Sequence, residues 1–262
     1  MTKQQLENLK KWFYGYVAGF YGDDVLTNEN IKLKEDHTRR MCADTIIIAD
    51  ELGFDDEQKM LAEAISLLHD TGRFEQYMKY HTYNDVGTEN HCLLGLKVIA
   101  EEKILDGLDS REKEIIESAI RFHGEKDLPP LKGEIELFSK FIRDVDKLDI
   151  YNVMISRVDE LRTDPAKCFS IFGYPATDAY SAHIVKAVLE NKTISYNEFK
   201  TLNDIILGLL GWISDINFTA TLRIIKKRGL YETIISTLPD TEDIRKVKTH
   251  ILEKLEKRIA SN

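Results

Sequence analysis

The sequence predicts an all-α protein, on two observations. Apolar residues recur with a period close to 3.6 along almost the whole chain, and the alternating apolar and polar runs typical of strands are not found. Glycine (14) and proline (5) together make up about 7% of the 262 residues, whereas the two make up roughly 12% of an average protein. We therefore expect a helical bundle rather than a turn-rich β sandwich or barrel.

The first three helices are predicted by apolar stripes and by the residues that end them. A stripe over residues 6–20 predicts the first helix. A second stripe, over 41–52, is followed by Gly53 in the position of a helix C-cap. Asp55 then begins a third helix. We expect that helix to end in the sequence His69-Asp70-Thr71-Gly72.

The next segment, residues 73–88 (RFEQYMKYHTYNDVGT), breaks the pattern and predicts a short helix followed by a loop. Helical periodicity then returns in three stretches, at 89–104, 110–122 and 134–161.

Residues 163–262 predict roughly four more helices, with a loop at Asp164-Pro165 and an irregular stretch at 172–175. We expect a module over 1–162 that contains the functional site. The C-terminal helical extension over 163–262 is expected to pack on it as one domain.

Composition excludes several classes of protein. The 36 Lys and Arg against 45 Asp and Glu give a net charge of −9, which argues against a protein that grips nucleic acid over a broad surface. No stretch reaches the roughly 20 apolar residues that cross a bilayer. The three cysteines, Cys42, Cys92 and Cys168, form no CxxC pair, which indicates a reducing compartment. We therefore expect a cytoplasmic protein without a membrane anchor.

The adjacent pair His69 and Asp70 is the strongest chemical signal. The pair ends an apolar helix, where the negative end of the helix dipole disfavours another carboxylate. A bound cation would reverse that cost. Imidazole nitrogen and carboxylate oxygen together suit a divalent metal of intermediate softness. Such an ion with a coordination position open to water would lower the pKa of the water bound there.

The ordered set His37, His69-Asp70 and Asp146 resembles the HD superfamily of metal-dependent phosphohydrolases. Residues 67–74 (LLHDTGRF) resemble the core motif of that family, and Asp146-Lys147-Leu148 resembles its closing aspartate followed by a basic residue. The resemblance covers about residues 30–160. It implies an all-α domain and a metal site formed by His37, His69, Asp70 and Asp146.

Two further histidines, His91 and His123, fall where the family often has additional active-site histidines. The resemblance implies that they assist the leaving group or bind a second ion bridged by Asp70. The ion itself stays open, because two histidines and two aspartates accept Mn, Fe, Ni, Co, Zn or, less readily, Mg. Asp149 remains an alternative to Asp146, because it lies nearer the apolar centre of its helical wheel.

Four polar residues are candidates for contacts with substrate. Arg73 stands where many relatives have lysine, and its guanidinium could bind phosphate oxygens in bidentate fashion. Arg40 and Lys147 are further candidates, each to contact phosphate or pair with a carboxylate. Asn84 belongs to the loop 80–85, which is either part of the substrate pocket or an ordinary surface loop.

The leading hypothesis is a metal-dependent phosphohydrolase that cleaves a phosphate ester, of a nucleotide or another small phosphorylated metabolite, with a metal-activated water. In this hypothesis Asp70, Arg73, His91, His123 and Lys147 take part in catalysis. The alternative is a non-catalytic sensor that uses the same scaffold to bind a nucleotide or metal. We expect a small phosphorylated substrate as partner, no membrane or nucleic acid, and allow for a homodimer.

Overall fold

A computed structural model of the chain describes residues 1–85, 87–164, 168, 174 and 176–261. The described residues form α helices and two short 3₁₀ helices, without strands. This confirms the predicted all-α class. The chain divides into two compact units, Met1–Asp146 and Lys147–Asn262. The domain boundary predicted near residue 162 lies at the C-terminal end of the helix Gly133–Thr163, and the boundary between the two units falls within that helix.

The first unit contains six complete helices and the beginning of a seventh among its described residues. They are α1 (Lys3–Ala18), α2 (Val25–Glu51), α3 (Asp56–Leu68), α4 (Thr71–Tyr80), α5 (His91–Glu101), α6 (Ser110–Phe122) and α7 (Gly133–Thr163). Helix α3 packs on α1, α2 and α6, while α4 packs on α2 and α5. Helices α2 to α6, which carry or flank the candidate histidines, are therefore neighbours in one bundle.

Local sequence explains where most of these helices begin. Asp55 and Asp109 each accept a hydrogen bond from the backbone amide three residues later, and the amide of each cap donates to the side chain at that position, which forms a capping box. Asn90 caps α5 in the simpler way, because its side-chain oxygen accepts a hydrogen bond from the amide of Leu93. At the other end of a helix, Gly53 takes a φ of +70°, as expected for a residue that stops α2.

Helix α2 begins 16 residues before the apolar stripe that predicted it, at Val25 instead of near residue 41. Its first half is polar, so apolar periodicity could not show it. Ile31 and His37 are nevertheless buried there. Ile47, part of the predicted stripe, is 44% exposed, so this residue lies on the outer face.

The second unit contains the rest of α7 and five further helices among its described residues, where about four were predicted. They are α8 (Ala182–Leu189), α9 (Leu202–Gly211), α10 (Thr219–Lys227), α11 (Leu230–Ser236) and α12 (Glu242–Ala260). Helix α12 packs on α8, α10 and α11. Pro165 and most of the irregular stretch predicted at 172–175 lie outside the described residues. None of the described helices has the length and apolar character needed to span a membrane.

Candidate metal centre

The pair His69 and Asp70 lies at a corner between two helices. Helix α3 ends at Leu68, and Asp70 occupies the position just before α4. The predicted third helix therefore ends earlier than Gly72, which is already in α4. A side chain at Gly72 would overlap the carbonyl oxygen of His91 and the amide of Gly95. Glycine at this position thus lets α4 approach α5 closely enough to bring His91 to the corner.

Four histidines surround the carboxylate of Asp70, two at each oxygen. Oδ2 lies 3.7 Å from Nε2 of His37 and 3.5 Å from Nε2 of His69. Oδ1 lies 3.6 Å from Nε2 of His91 and 3.6 Å from Nε2 of His123. All four histidines and Asp70 are at least nine-tenths buried. The carboxylate thus stands between two separate groups of nitrogen atoms.

The first cluster consists of His37, His69, Asp70 and Asp146. Nδ1 of His69 lies 2.9 Å from the carbonyl oxygen of Ser66, so Nδ1 carries the proton and Nε2 presents a lone pair. Nε2 is buried and makes no hydrogen bond within the described residues. Burial also lowers the pKa of His69, which favours the neutral ring. A lone pair facing a carboxylate in the protein interior fits a bound cation.

Asp146 joins this cluster through Oδ1, which lies 3.3 Å from Nε2 of His37. Burial alone would raise the pKa of Asp146, but His37 and His69 lower it below its usual range. Asp149, the alternative distal ligand, is fully buried one turn further along α7, in the second unit. The structure therefore brings Asp146 to the histidines in the first unit.

The second cluster consists of His91, Cys92 and His123. Nδ1 of His123 lies 2.8 Å from the carbonyl oxygen of Ile120, and Nδ1 of His91 lies 2.7 Å from Oδ2 of Asp85. With both Nδ1 atoms donating, the two Nε2 atoms point their lone pairs at one another across 3.0 Å. The sulfur of Cys92 lies 3.4 Å from Nε2 of His91. Such an arrangement again requires a proton or a cation between the acceptors.

Charged neighbours shift the pKa values of several groups in the centre. Burial alone would raise the pKa of Asp70, but Lys34, whose Nζ lies 2.8 Å from Oδ2, holds that pKa well below its usual range. Despite burial, Cys92 and Asp70 raise the pKa of His123. In turn, and also against burial, His123 and His91 lower the pKa of the Cys92 thiol to about 6. The clustered acceptors therefore favour bound cations or protons.

Arg73 is tied to the loop after α4. Its Nη1 donates to the carbonyl oxygen of Tyr83 at 2.6 Å, to Gln76 at 2.7 Å and to Asp85 at 2.9 Å. Its Nε is buried and lies 3.6 Å from Oδ1 of Asp70. Arg73 therefore faces the centre and also holds Asp85, the carboxylate that orients His91.

Three residues around the centre were not found by sequence reasoning. Lys34 and Arg143 each precede a cluster residue by three positions on the same helix, and that spacing was the available signal. Arg143 donates to the carbonyl oxygens of His123, at 3.3 Å, and of Lys126, at 3.1 Å. Asp85 lies in a loop and had no such signal.

Other predicted substrate contacts lie further out or pair elsewhere. Arg40 is exposed on α2, three residues beyond the buried His37, and Asn84 is exposed in the loop that holds Asp85. Lys147 is buried in the second unit, where its Nζ lies 2.7 Å from Oδ2 of Asp215.

Comparison with known proteins gives one match for this region. The family model of the HD domain matches residues 35–151, a segment that includes both clusters. No curated protein and no solved structure matches the chain significantly.

Proposed function

Residues 35–151 form an HD domain, and from this membership we propose that the chain is a metal-dependent phosphohydrolase. Its substrate would be a phosphate ester, either a nucleotide or another small phosphorylated metabolite. The membership itself supports the broad class of metal-dependent hydrolases. The narrower proposal, hydrolysis by this chain, depends on the geometry of its own centre.

The observation that carries the proposal is the placement of two imidazole nitrogens at each oxygen of Asp70, at 3.5–3.7 Å. In this proposal His37, His69, Asp70 and Asp146 would hold a first ion. His91 and His123, together with Asp70, would hold a second. When bound, divalent ions would lower the pKa of a coordinated water and polarise a phosphoryl oxygen.

Charged residues of the chain would stabilise the phosphoryl group. Lys34 and Arg73 flank Asp70, with Nζ of Lys34 at 2.8 Å from Oδ2 and Nε of Arg73 at 3.6 Å from Oδ1. Fixed cations at this position offset negative charge that develops on a phosphoryl group in the transition state. Arg40 and Asn84, both exposed, remain proposed contacts for the rest of the substrate.

The test is a hydrolysis assay on protein prepared without metal. We would supply Mn²⁺, Fe²⁺, Ni²⁺, Co²⁺, Zn²⁺ or Mg²⁺ singly and offer a panel of nucleotides and small phosphate esters. Turnover with at least one ion is expected. Asp70→Asn should reduce it by at least about 10³-fold, whereas the control Asp50→Asn, at an exposed carboxylate on α2, should leave it unchanged.

Two other outcomes would count against hydrolysis. Stoichiometric binding of metal and nucleotide without turnover would instead support the non-catalytic sensor. The absence of both hydrolysis and stoichiometric metal binding would exclude the proposed function altogether.

A further inference from the structure

Cys92 extends the second cluster beyond its two histidines. It follows His91 at the start of α5 and is 1% exposed. Its sulfur lies 3.4 Å from Nε2 of His91 and 4.0 Å from Nε2 of His123. We propose that Cys92 is a ligand of the second ion and makes that position selective for Zn²⁺ or Co²⁺ over Mg²⁺ and Mn²⁺. This inference rests on the proposed function, because it concerns one of the two metal positions.

The spacing of the donor atoms suits one small ion. Zinc binds nitrogen at about 2.0–2.1 Å and sulfur at about 2.3 Å, so neighbouring ligands of a tetrahedral ion lie roughly 3.3–3.6 Å apart. The three separations within the second cluster run from 3.0 Å, between the nitrogens, to 4.0 Å, between the sulfur and His123. Oδ1 of Asp70 adds a fourth donor at 3.6 Å from each nitrogen.

Gly124, directly after His123, leaves room for this arrangement. A Cβ atom at Gly124 would lie 3.0 Å from the sulfur of Cys92 and 3.1 Å from Cε1 of His91. Nothing larger than glycine therefore fits without displacing the sulfur and the imidazole. Glycine at this position therefore lets the sulfur of Cys92 and the ring of His91 lie close to the turn that follows His123.

The two clusters differ in the softness of their donors. The first offers two imidazoles and two carboxylates, a set that accepts hard and intermediate ions. The second offers two imidazoles, one carboxylate oxygen and one sulfur, all from buried residues. Thiolate sulfur favours zinc and cobalt, whereas magnesium and manganese prefer oxygen donors. The two positions should therefore hold different ions when several are available.

Cobalt spectroscopy tests the inference without any assay of activity. Metal-free protein would be titrated with Co²⁺ while bound metal and absorbance are measured together. A sulfur-to-cobalt charge-transfer band in the near ultraviolet should grow with occupancy of the second position. Cys92→Ser should abolish the band and keep the first equivalent of Co²⁺. The control Cys42→Ser, on α2 and outside the cluster, should retain it.

Metal affinity provides a second measurement. Loss of an outer partner of a ligand usually weakens binding 10–100-fold, so loss of a ligand itself should weaken Zn²⁺ at the second position by more than about 100-fold. The same substitution should change the affinity for Mn²⁺ little. Zinc and manganese competition against a chelator, in wild type and Cys92→Ser, gives both values.

The failure of this inference can be told apart from the failure of the proposed function. Two bound Co²⁺ ions in the wild-type protein without a sulfur band would overturn the role of Cys92 alone, and this result does not depend on any variant folding. The absence of stoichiometric metal binding would overturn the inference together with the proposed function.

Discussion

Asp85 accepts a hydrogen bond from His91: its Oδ2 lies 2.7 Å from Nδ1 of the imidazole. Arg73 and Gln76 hold the other oxygen of the same carboxylate, at 2.9 Å and 2.7 Å. Burial alone would raise the pKa of Asp85, but the hydrogen bond from His91 and the charge of Arg73 lower it to about 2. An ionised carboxylate fixes the tautomer of His91, so the lone pair of Nε2 stays directed into the second cluster.

Asp85→Asn should weaken the second metal position selectively. An amide nitrogen at residue 85 would face the donors of Arg73 and Gln76 or the Nδ1 proton of His91, and an incorrectly oriented ring binds metal less well. We expect 10–100-fold weaker binding of the second ion and unchanged binding of the first, measured by metal titration. Asp23→Asn, at an exposed carboxylate before α2, is the control. An equal loss at both positions would contradict the assigned role.

Lys34→Met should have opposite effects on stability and on metal affinity. The ammonium of Lys34 is the close partner of the buried Asp70 carboxylate. Its removal should lower the free energy of unfolding of the metal-free protein by about 2–4 kcal/mol. Removal of a like charge should also tighten binding of the first ion about tenfold, or about 1.4 kcal/mol.

The matched control for this substitution is Lys32→Met. Lys32 is on the same helix, is 64% exposed and pairs with Asp36, so its loss should change neither quantity by much. Urea unfolding and chelator competition measure the two effects. Weaker metal binding in Lys34→Met would show that the ammonium supports the ion instead of competing with it.

Gly72→Ala should destabilise the fold strongly. The added methyl group would overlap the backbone of His91 and Gly95, and backbone cannot move aside as a flexible side chain can. We expect a loss of more than about 3 kcal/mol in the free energy of unfolding. Gly15→Ala is the matched control, since its Cβ would meet no atom within 4 Å and alanine favours the exposed helix by about 0.5–1 kcal/mol. Similar melting temperatures for the two variants would refute the close contact between α4 and α5.

Arg143→Met should loosen the turn that contains His123. The buried guanidinium of Arg143 satisfies the carbonyl oxygens of His123, Glu125 and Lys126 at the end of α6. Its loss should cost about 2–4 kcal/mol of stability and reduce occupancy of the second metal position more than that of the first. Arg121→Met, at an exposed residue of α6, should do neither. Unfolding curves combined with elemental analysis check both expectations.

Sequence reasoning identified Asp70 and five other residues of the two clusters, because the ordered motif of a known family contains them. The structure places Nε2 of His37, His69, His91 and His123 within 3.7 Å of that carboxylate. It places Asp146 beside His37. Their partners were beyond reach for a physical reason. Asp85 meets His91 only through the path of a loop, and no periodicity or cap signals such a contact.

The corner at Asp70 shows the same limit on the scale of the backbone. The predicted end of the third helix, at residues 69–72, falls at this corner, but no proline or glycine lies between Leu68 and Thr71 to mark the exact position of the break. The break coincides with the close packing of Gly72 against α5, a tertiary contact. The polar first half of α2 was missed for a related reason. Apolar periodicity shows only which helix faces bury apolar side chains, whereas α2 also buries the imidazole of His37.

The residues of the first cluster come from distant parts of the first unit, with His37 on α2 and Asp146 on α7. During synthesis Asp146 leaves the ribosome long after His37, and no stretch of nascent chain holds the complete set earlier. Because the folded bundle has already brought His37 and Asp146 together, ion binding would not have to overcome the closure entropy of the long chain between them. The ion would therefore bind after the chain has folded. Once bound, it would slow unfolding and lengthen the lifetime of the native protein.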